Sequence, residues 1–393
     1  MLFDLETVRL SDSVVEHWKF NSDNNDLYTP DGMLIKREKV KTSPCCDHKS
    51  RRIYDLSIQL GFACDQNCVY CLQAQRQEPK SEKHLSVDEF LKKLEIIEFE
   101  DDACIEFWGG EPLVYWKTLK ELIPKLRARL PNANMYMSSN CATLTREIVD
   151  FMHEHRVCIL LSHDGKYNLL TRRYELSKTA YDAINYAIQL NKNLPEHLRV
   201  KYNSVITDYN ADLNEHAEWM LKHFPDIMPL RQQPLTNTNA NYLKNVKFTK
   251  YETYVNTSIE RYFKHNETYP FKMYYRRMVE DMTKDFSGYD RFNCGIFSDR
   301  YLCLDLNGNM LYCHNDKQSY GHIDHYDEAK VQIGFDNNIA KCKDCPWKSF
   351  CFGGCPMYET LGETCSYYPR YFVTFYIFMR NAFNVSVRKV TPL

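Results

Sequence analysis

Apolar stretches alternate with amphipathic ones from residue 51 onward. Residues 53–60 alternate apolar and polar side chains, which is typical of a strand, and residues 87–99 follow a helical period after Ser86, a capping residue. The same pair recurs, with strands predicted at 103–108, 134–137, 157–161, 200–206 and, more weakly, 227–230, and helices at 116–130, 145–155, 180–190 and 213–224. This alternation predicts an α/β fold with a parallel sheet, and its five or six units are fewer than the eight of a closed barrel.

The flanks of this repeating region have different patterns. The first residues are polar, with a turn at Pro30-Asp31-Gly32, and are predicted to be rich in strands. Beyond the repeats, a segment rich in Asn, Thr and Leu indicates a linker. The predicted division is a lead-in segment 1–50, a partial barrel 51–235, a linker and helix 236–285, a cysteine-rich domain 286–366 and a C-terminal helix 367–393.

Composition narrows the class of protein. Apolar residues make up 44% and charged residues 26% of the chain, as in globular proteins, and the net charge of −2 argues against binding to nucleic acid or anionic membranes. The N-terminus lacks the basic and apolar regions of a signal peptide, so a cytoplasmic protein is expected. Sixteen cysteines in such a chain indicate metal or redox chemistry rather than a disulfide framework.

Cys64, Cys68 and Cys71 follow the first predicted strand of the barrel. Their spacing lets one short loop surround a single metal centre. Zinc would need a fourth ligand, and no Cys or His follows before His84. A four-iron cluster held by three cysteines keeps one iron open for chemistry. The alternatives are three unrelated thiols or half of a zinc site.

Polar residues follow the next three predicted strands. Gly109, Gly110 and Glu111 come after the second strand, where the glycines allow close backbone approach to a ligand and Glu111 can accept from an ammonium group. The third and fourth strands are followed by Ser138-Ser139-Asn140 and Ser162-His163-Asp164-Gly165. Carboxyl ends of barrel strands gather at one mouth, so these groups are predicted to meet the cysteine loop. Helix capping is the alternative role for the last two groups.

The cysteine loop resembles that of the radical S-adenosylmethionine (SAM) superfamily, with Tyr70 as the aromatic residue before the last cysteine. The resemblance implies a partial (β/α)6 TIM-like barrel and a 4Fe-4S cluster that cleaves SAM to a 5′-deoxyadenosyl radical. It further implies that Gly109, Gly110 and Glu111 bind the SAM amine. Ser139, Asn140, Ser162 and Asp164 would lie near the ribose. Arg172 and Arg173 are candidates for the SAM carboxylate, although solvated arginines are the commoner case.

A second group of cysteines begins at Cys294, before a hairpin predicted at 301–311, and continues after it. Their order resembles the SPASM extension of peptide-modifying radical SAM enzymes, a C-terminal iron–sulfur domain with two auxiliary 4Fe-4S clusters. The resemblance implies that the first cluster is held by Cys294, Cys313 and Cys355, and the second by Cys342, Cys345, Cys351 and Cys365. Cys303 either completes the first cluster or is a buried structural thiol. A zinc ribbon is the competing interpretation of the second set.

The function implied by the resemblance is radical chemistry on a peptide or protein, with three 4Fe-4S clusters and SAM as cofactors. The first hypothesis is a maturase that forms a thioether or carbon–carbon crosslink in a ribosomally made peptide. The alternative is oxidation of Cys or Ser to formylglycine, as in sulfatase-maturing relatives, which carry an Asp base where this chain has His314. A non-catalytic iron–sulfur or zinc protein is disfavoured by the Gly109-Gly110-Glu111 sequence.

The expected partners are a peptide or protein substrate and an electron donor such as flavodoxin or ferredoxin. The 50 residues before the barrel are short for a leader-binding domain, so a separate leader-peptide-binding protein is considered. His314 is the candidate general base, and the alternative is a histidine that only supports a cluster.

Overall fold

The computed structural model describes residues 1–22, 26–35, 49–74, 85–235, 246–286, 295–331, 342–347, 365 and 367–392, with backbone only at 281–286 and 297. Five cysteines lie outside these residues, namely Cys45, Cys46, Cys294, Cys351 and Cys355. The predicted linker segment 236–245 also lies outside them.

Thirteen strands are present in the described residues. They are β1 (Leu2–Arg9), β2 (Val15–Asn21), β3 (Asp26–Tyr28), β4 (Arg52–Gln59), β5 (Glu98–Trp108), β6 (Asn134–Ser139), β7 (Val157–Ser162), β8 (Lys201–Ile206), β9 (Met228–Pro234), β10 (Tyr301–Asp305), β11 (Asn309–Leu311), β12 (Ser319–His322) and β13 (Val385–Pro392).

The α-helices in the same residues lie mostly between the strands of the repeating region. They are α1 (Val87–Lys93), α2 (Trp116–Arg129), α3 (Arg146–Glu154), α4 (Asn168–Thr171), α5 (Lys178–Leu190), α6 (Leu213–His223), α7 (Tyr251–His265), α8 (Phe271–Phe286) and α9 (Tyr367–Phe383). The predicted capping role of Ser86 is confirmed, because its side chain accepts from Glu89 N while its own backbone N–H donates to the Glu89 carboxylate.

The main sheet has nine strands in the order β12-β11-β10-β4-β5-β6-β7-β8-β9. Strands β4 to β9 are parallel neighbours in chain order, as the alternating pattern predicts. The predicted α/β fold with six parallel strands is therefore confirmed. The sixth strand is longer than the predicted 227–230 and ends at Pro234.

The two faces of this sheet differ in polarity. Leu56 and Ile58 of β4, like Ile105 and Phe107 of β5, are buried in one apolar core with the helices. The intervening side chains point to the opposite face because strand side chains alternate. We call this opposite face, which carries Ser57, Glu106 and their neighbours, the inner face. Its polarity suits a binding surface rather than a second apolar core.

The predicted hairpin at 301–311 is confirmed as β10 and β11. Its turn is stabilised by Asp305, whose Oδ1 accepts from Asn307 N at 2.9 Å and Asn309 N at 2.8 Å, and by Gly308 with a φ of +91°. Strand β10 pairs parallel with β4, from Tyr301 opposite Asp55 to Asp305 opposite Gln59. This pairing, which the sequence did not predict, brings the residues after the hairpin to the end of β4.

The chain termini form a second sheet in the order β13-β1-β2-β3. Strands β1 to β3 agree with the strand-rich segment predicted before residue 51. The C-terminal helix predicted for 367–393 ends at Phe383 instead, and β13 follows it. Asn384 has a φ of +57°, which ends the helix, and the buried Val385 and Val387 alternate with more exposed residues as a strand requires.

Across the described residues, every helix is too short or too polar to cross a lipid bilayer.

Candidate active site

The cysteine loop follows β4 and reaches the carboxyl end of the parallel sheet. Cys64, Cys68 and Cys71 are half-buried and form no disulfide. The Cys71 N–H donates to the Cys68 carbonyl at 3.1 Å, which makes the loop turn tightly. Two backbone N–H groups point at the thiols, with Gln66 N 3.4 Å from Cys64 Sγ and Gln73 N 3.3 Å from Cys71 Sγ.

Gly109 and Gly110 pack against the backbone of this loop. Gly110 N donates to Gly61 O at 2.9 Å, and Glu111 N donates to Ala63 O at 3.0 Å. A Cβ on Gly110 would lie 2.4 Å from Ala63 O, and one on Gly109 would lie 2.9 Å from Gly61 O. Both distances are too short for any side chain. The glycines therefore allow close approach, as predicted, but the group they approach is the cysteine loop itself.

Glu111 is buried at the centre of the predicted SAM-binding residues. Its Oε1 accepts from Leu113 N at 3.0 Å and from Ser139 Oγ at 2.6 Å, and its Oε2 accepts from Asn140 N at 2.7 Å. Burial raises the pKa of the Glu111 carboxyl to about 7, although these three hydrogen bonds favour the charged form. The structure thus joins the ends of β5 and β6 at one carboxylate.

Asp164 is fully buried after β7 and is surrounded by protein donors. Its Oδ2 accepts from the Tyr70 hydroxyl and from Thr171 Oγ1 at 2.8 Å. Its Oδ1 accepts from Val205 N at 3.0 Å and lies 3.1 Å from Arg172 Nη2. One of these donors is the hydroxyl of Tyr70, the aromatic residue of the cysteine loop.

The contacts of Asp164 hold the cysteine loop against β7. Tyr70 lies between Cys68 and Cys71 in the sequence. Next to it, Val69 N donates a backbone hydrogen bond to Thr171 O at 2.9 Å. The Arg172 guanidinium lies 5.6 Å from the Tyr70 ring centroid. Burial raises the pKa of the Cys68 thiol to about 11, and the charge of Arg172 opposes this effect.

The interpretation of Arg172 as a solvated arginine is wrong, because its side chain is only 10% exposed and pairs with Asp164. Arg173, in contrast, is exposed and has a φ of +61°.

Ser162 and Asn140 are brought together by a third residue. The Tyr174 hydroxyl lies 2.8 Å from Asn140 O and 3.0 Å from Ser162 O, so it ties the ends of β6 and β7. The predicted polar residues after β5, β6 and β7 therefore lie at one edge of the sheet, as expected from the parallel fold.

Residues after the β10–β11 hairpin contact the cysteine loop. Two glutamine side chains donate to the His314 carbonyl, Gln59 from the end of β4 and Gln73 at 3.2 Å. Gln73 Nε2 also lies 3.1 Å from Asn315 Oδ1. Because His314 follows Cys313, these contacts fix the position of a predicted auxiliary-cluster ligand relative to the cysteine loop.

The His314 ring lies on the inner face. It stacks on Trp108 with ring centroids 4.0 Å apart, and its Nδ1 lies 3.4 Å from Glu106 Oε2. Glu106 Oε2 also accepts from Ser57 Oγ at 3.1 Å. The sequence analysis missed Glu106, although its position between the core residues Ile105 and Phe107 places it on the inner face. It also missed Gln73, for which the sequence carries no signal.

The other predicted cluster ligands are described only in part. Cys303 is fully buried on β10, Cys313, Cys342 and Cys345 are half-buried, and Cys365 is exposed. Cys294, Cys351 and Cys355 lie outside the described residues. Within the described ranges, no three Cys, His, Asp or Glu side chains stand in the arrangement of an assembled metal site. The donor chemistry of Cys64, Cys68 and Cys71 nevertheless fits a cluster, because three thiols share one tightly turned loop.

A cavity of about 260 Å³ lies between the cysteine loop and the hairpin. Gln59 and Phe62 line it from the side of the loop, and Asp305, Leu311 and Lys317 line it from the side of the hairpin. The cavity next to the candidate site therefore has one negative and one positive side chain on its wall, together with the apolar Phe62 and Leu311.

Comparison with known proteins gives a family match. Residues 58–219 match the family model described as the Radical SAM superfamily, and the cysteine loop and the ends of β5 to β7 fall inside this range.

Among curated proteins, the chain is similar to the cysteine-type anaerobic sulfatase-maturating enzyme of Clostridium novyi (strain NT). The two are 22% identical over 324 residues, covering 74% of this chain and 84% of the relative. A second relative is the radical SAM cyclopropyl synthase TigE of Paramaledivibacter caminithermalis, 24% identical over 234 residues, covering 50% of this chain and 48% of the relative.

Solved structures share the fold. One is native anSMEcpe with bound AdoMet and Cp18Cys peptide, with a TM-score of 0.56 and 17% identity, covering 84% of this chain and 97% of that one. Another is Streptococcus suis SuiB bound to the precursor peptide SuiA, with a TM-score of 0.53 and 16% identity, covering 78% of this chain and 72% of that one. The predicted TIM-like partial barrel is thereby confirmed, and the coverage of these neighbours is consistent with the predicted C-terminal extension.

We expect Asp164→Asn to loosen the cysteine loop before any cofactor binds. The substitution leaves the buried Arg172 charge uncompensated, so the unfolding free energy of the cofactor-free protein should fall by about 3–5 kcal/mol. Urea denaturation measures this loss, and hydrogen exchange should rise at residues 64–72.

Asp208→Asn is a matched control, because Asp208 also accepts from several donors, at Thr249 and Lys250, and none of these donors belongs to the loop. Unchanged exchange at residues 64–72 in Asp164→Asn would contradict the role given to Asp164.

Proposed function

Since residues 58–219 form a radical SAM domain, we propose that the protein modifies a side chain of a ribosomally made peptide and forms a thioether or carbon–carbon crosslink. The observation that carries the proposal is the close packing of the cysteine loop against Gly109, Gly110 and Glu111. It brings three thiols and a buried carboxylate to one edge of the sheet, as a bound SAM would require.

The family implies a 4Fe-4S cluster and SAM, and Cys64, Cys68 and Cys71 are the residues that would hold the cluster. Once bound, these cofactors supply a 5′-deoxyadenosyl radical, which removes a hydrogen atom from the substrate. Glu111 accepts from the SAM amine in this proposal. Ser139, Asn140 and Ser162 remain the proposed ribose-side residues.

Tyr70 and Asp164 act on SAM indirectly in this proposal. The Tyr70 hydroxyl donates to Asp164, and Asp164 also accepts from Thr171 and Val205, so the two residues tie the cysteine loop to α4 and β8 and hold it in its binding conformation. Arg172 is kept close to the loop by the same carboxylate, so it is the better of the two candidate arginines for the SAM carboxylate.

The inner face is the proposed place of the substrate. His314 stacks on Trp108 there, with its Nδ1 3.4 Å from Glu106 Oε2, so its ring lies on the face that a peptide would occupy. We keep His314 as the candidate group that accepts a proton when the substrate is oxidised. A peptide bound here would lie between the cysteine loop and the residues after the hairpin.

Two auxiliary 4Fe-4S clusters complete the proposal, with the ligand sets given by the cysteine order. Burial and the charge of the Cys313 thiol raise the pKa of the Cys303 thiol well above its usual range. We keep Cys303 as a candidate ligand of the first auxiliary cluster, with a buried structural thiol as its alternative role. A flavodoxin or ferredoxin would supply electrons, and a separate protein would deliver the leader peptide if the chain cannot bind it alone.

Oxidation of Cys or Ser to formylglycine is the second candidate function. The similarity to a sulfatase-maturating enzyme over 84% of that enzyme favours it. The histidine at position 314, where sulfatase-maturing relatives carry Asp, counts against it. The two functions share the radical step and differ in what happens to the oxidised side chain.

Replacing Glu111 with Gln should weaken SAM binding without loss of iron. The variant loses a charge-assisted hydrogen bond to the amine, so affinity should fall by about tenfold to a hundredfold. Calorimetric titration of SAM into reconstituted protein measures the effect, and Glu121→Gln on the exposed surface of α2 is the control. A SAM affinity equal to that of the wild type would remove Glu111 from the proposed site.

The substrate class is tested with candidate peptides, small Cys- or aromatic-rich sequences from reading frames that neighbour the gene, incubated with reduced enzyme and SAM. If a crosslink forms, mass spectrometry should show a peptide product that has lost two hydrogen atoms, and this product should not react with a hydrazide. Formylglycine predicts a hydrazide-reactive aldehyde, with sulfur exchanged for oxygen if the substrate residue is Cys. Detection of the aldehyde would overturn the crosslink proposal in favour of the second candidate.

A further inference from the structure

The end of the sheet formed by β9 presents a positive charge on the inner face. Arg231 and Gln233 are two residues apart and share this face, whereas Gln232 points to the helix side and donates to the Tyr202 hydroxyl at 3.4 Å. Arg231 is exposed and lies opposite Asn203 of β8. Burial raises the pKa of Tyr136 well above its usual range, and the positive charge of Arg231 partly opposes this rise. The guanidinium therefore lies within reach of the inner face of β6.

A second guanidinium reaches the same place from another element. Arg370, near the start of α9, is half-buried and donates from Nη1 to Gln233 Oε1. Because Gln233 is two residues from Arg231 along β9, the backbone positions that carry the two interactions are about 7 Å apart. We call Arg231, Gln233 and Arg370 the β9 flank.

Neither arginine has a carboxylate partner among the described residues. Elsewhere in the same residues, Arg172 pairs with Asp164, Arg300 with Glu100 and Arg51 with Asp327. On the inner face, the carboxylate of Glu106 is engaged by Ser57 and His314 on the side of β4 and β5. The inner face therefore has a carboxylate on one side and two guanidinium groups on the other.

We propose that the β9 flank binds a carboxylate of the peptide substrate and thereby sets its direction across the inner face. Guanidinium groups bind carboxylates through paired, charge-assisted hydrogen bonds, and two of them on a partly buried surface give both affinity and orientation. The carboxylate comes from an Asp or Glu side chain near the reacting residue or from the C-terminus of the peptide. This inference rests on the proposed function, because it names a chemical feature of the peptide that the active site accepts.

Three labelled peptides of one length test the β9 flank in the reconstituted enzyme with SAM. The first has Glu residues around its central residue and an amidated C-terminus, the second has Gln in their place, and the third combines Gln with a free C-terminal carboxylate. Fluorescence anisotropy at low salt should show the Glu peptide binding at least about tenfold more tightly than the amidated Gln peptide. If the third peptide binds as tightly as the Glu peptide, the bound carboxylate is that of the C-terminus. Added salt should reduce the preference for a carboxylate of either kind.

The variants Arg231→Gln and Arg370→Gln should each reduce the preference, and the double variant should abolish it. Arg231→Lys should keep part of it, because the charge remains while the paired hydrogen bonds are lost. Arg146→Gln is the matched control, since it removes the same charge from α3, where Arg146 lies over the Tyr186 ring. Circular dichroism and iron content show whether each variant is folded and loaded.

Two results would overturn the inference: equal wild-type affinity for all three peptides, or a preference that persists in the folded double variant. The same preparations are also assayed for 5′-deoxyadenosine produced without peptide. This assay separates a failure of the β9 flank inference from a failure of the proposed function. Enzyme that cleaves SAM but ignores peptide charge refutes only the β9 flank. Enzyme that does not cleave SAM refutes the proposed function itself.

Discussion

The cysteine loop is a short segment without regular structure, and its conformation depends on what packs against it. Gly110 approaches it so closely that no side chain fits, and Asp164 holds it through the Tyr70 hydroxyl. Gln73 connects it to the residues after the hairpin. Three separate parts of the chain thus fix one loop, which arranges the thiols before any cofactor binds.

The same packing explains which parts of the site could be predicted from the sequence. The cysteine spacing and Gly109-Gly110-Glu111 are local patterns, and the parallel fold brings the ends of their strands together. Burial of Arg172 was not predictable, because a charged residue in a loop is usually solvated and only the tertiary contact with Asp164 reverses this. The strand at Val385 was missed because an aromatic helix continues into it without Gly or Pro, and only pairing with β1 favours the extended form.

The pairing of β10 with β4 determines how the two cysteine regions lie relative to each other. A hairpin can be predicted from Asn307-Gly308-Asn309, but the sequence does not indicate which edge of the sheet it joins. With β10 beside β4, Cys303 lies opposite Ser57, and His314 lies over Trp108 on the inner face. A substrate on this face would therefore be close to both the cysteine loop and the C-terminal extension, as the proposed chemistry with its second oxidation step requires.

Reductive cleavage of SAM tests most directly whether the cysteine loop is a radical-forming site. Anaerobically reconstituted protein with dithionite and SAM should produce 5′-deoxyadenosine. A variant with Ala at Cys64, Cys68 and Cys71 should produce none, while it keeps the iron of the auxiliary sites. Production of 5′-deoxyadenosine by that variant at the wild-type rate, or a wild-type protein that holds zinc and no iron, would contradict the proposed chemistry.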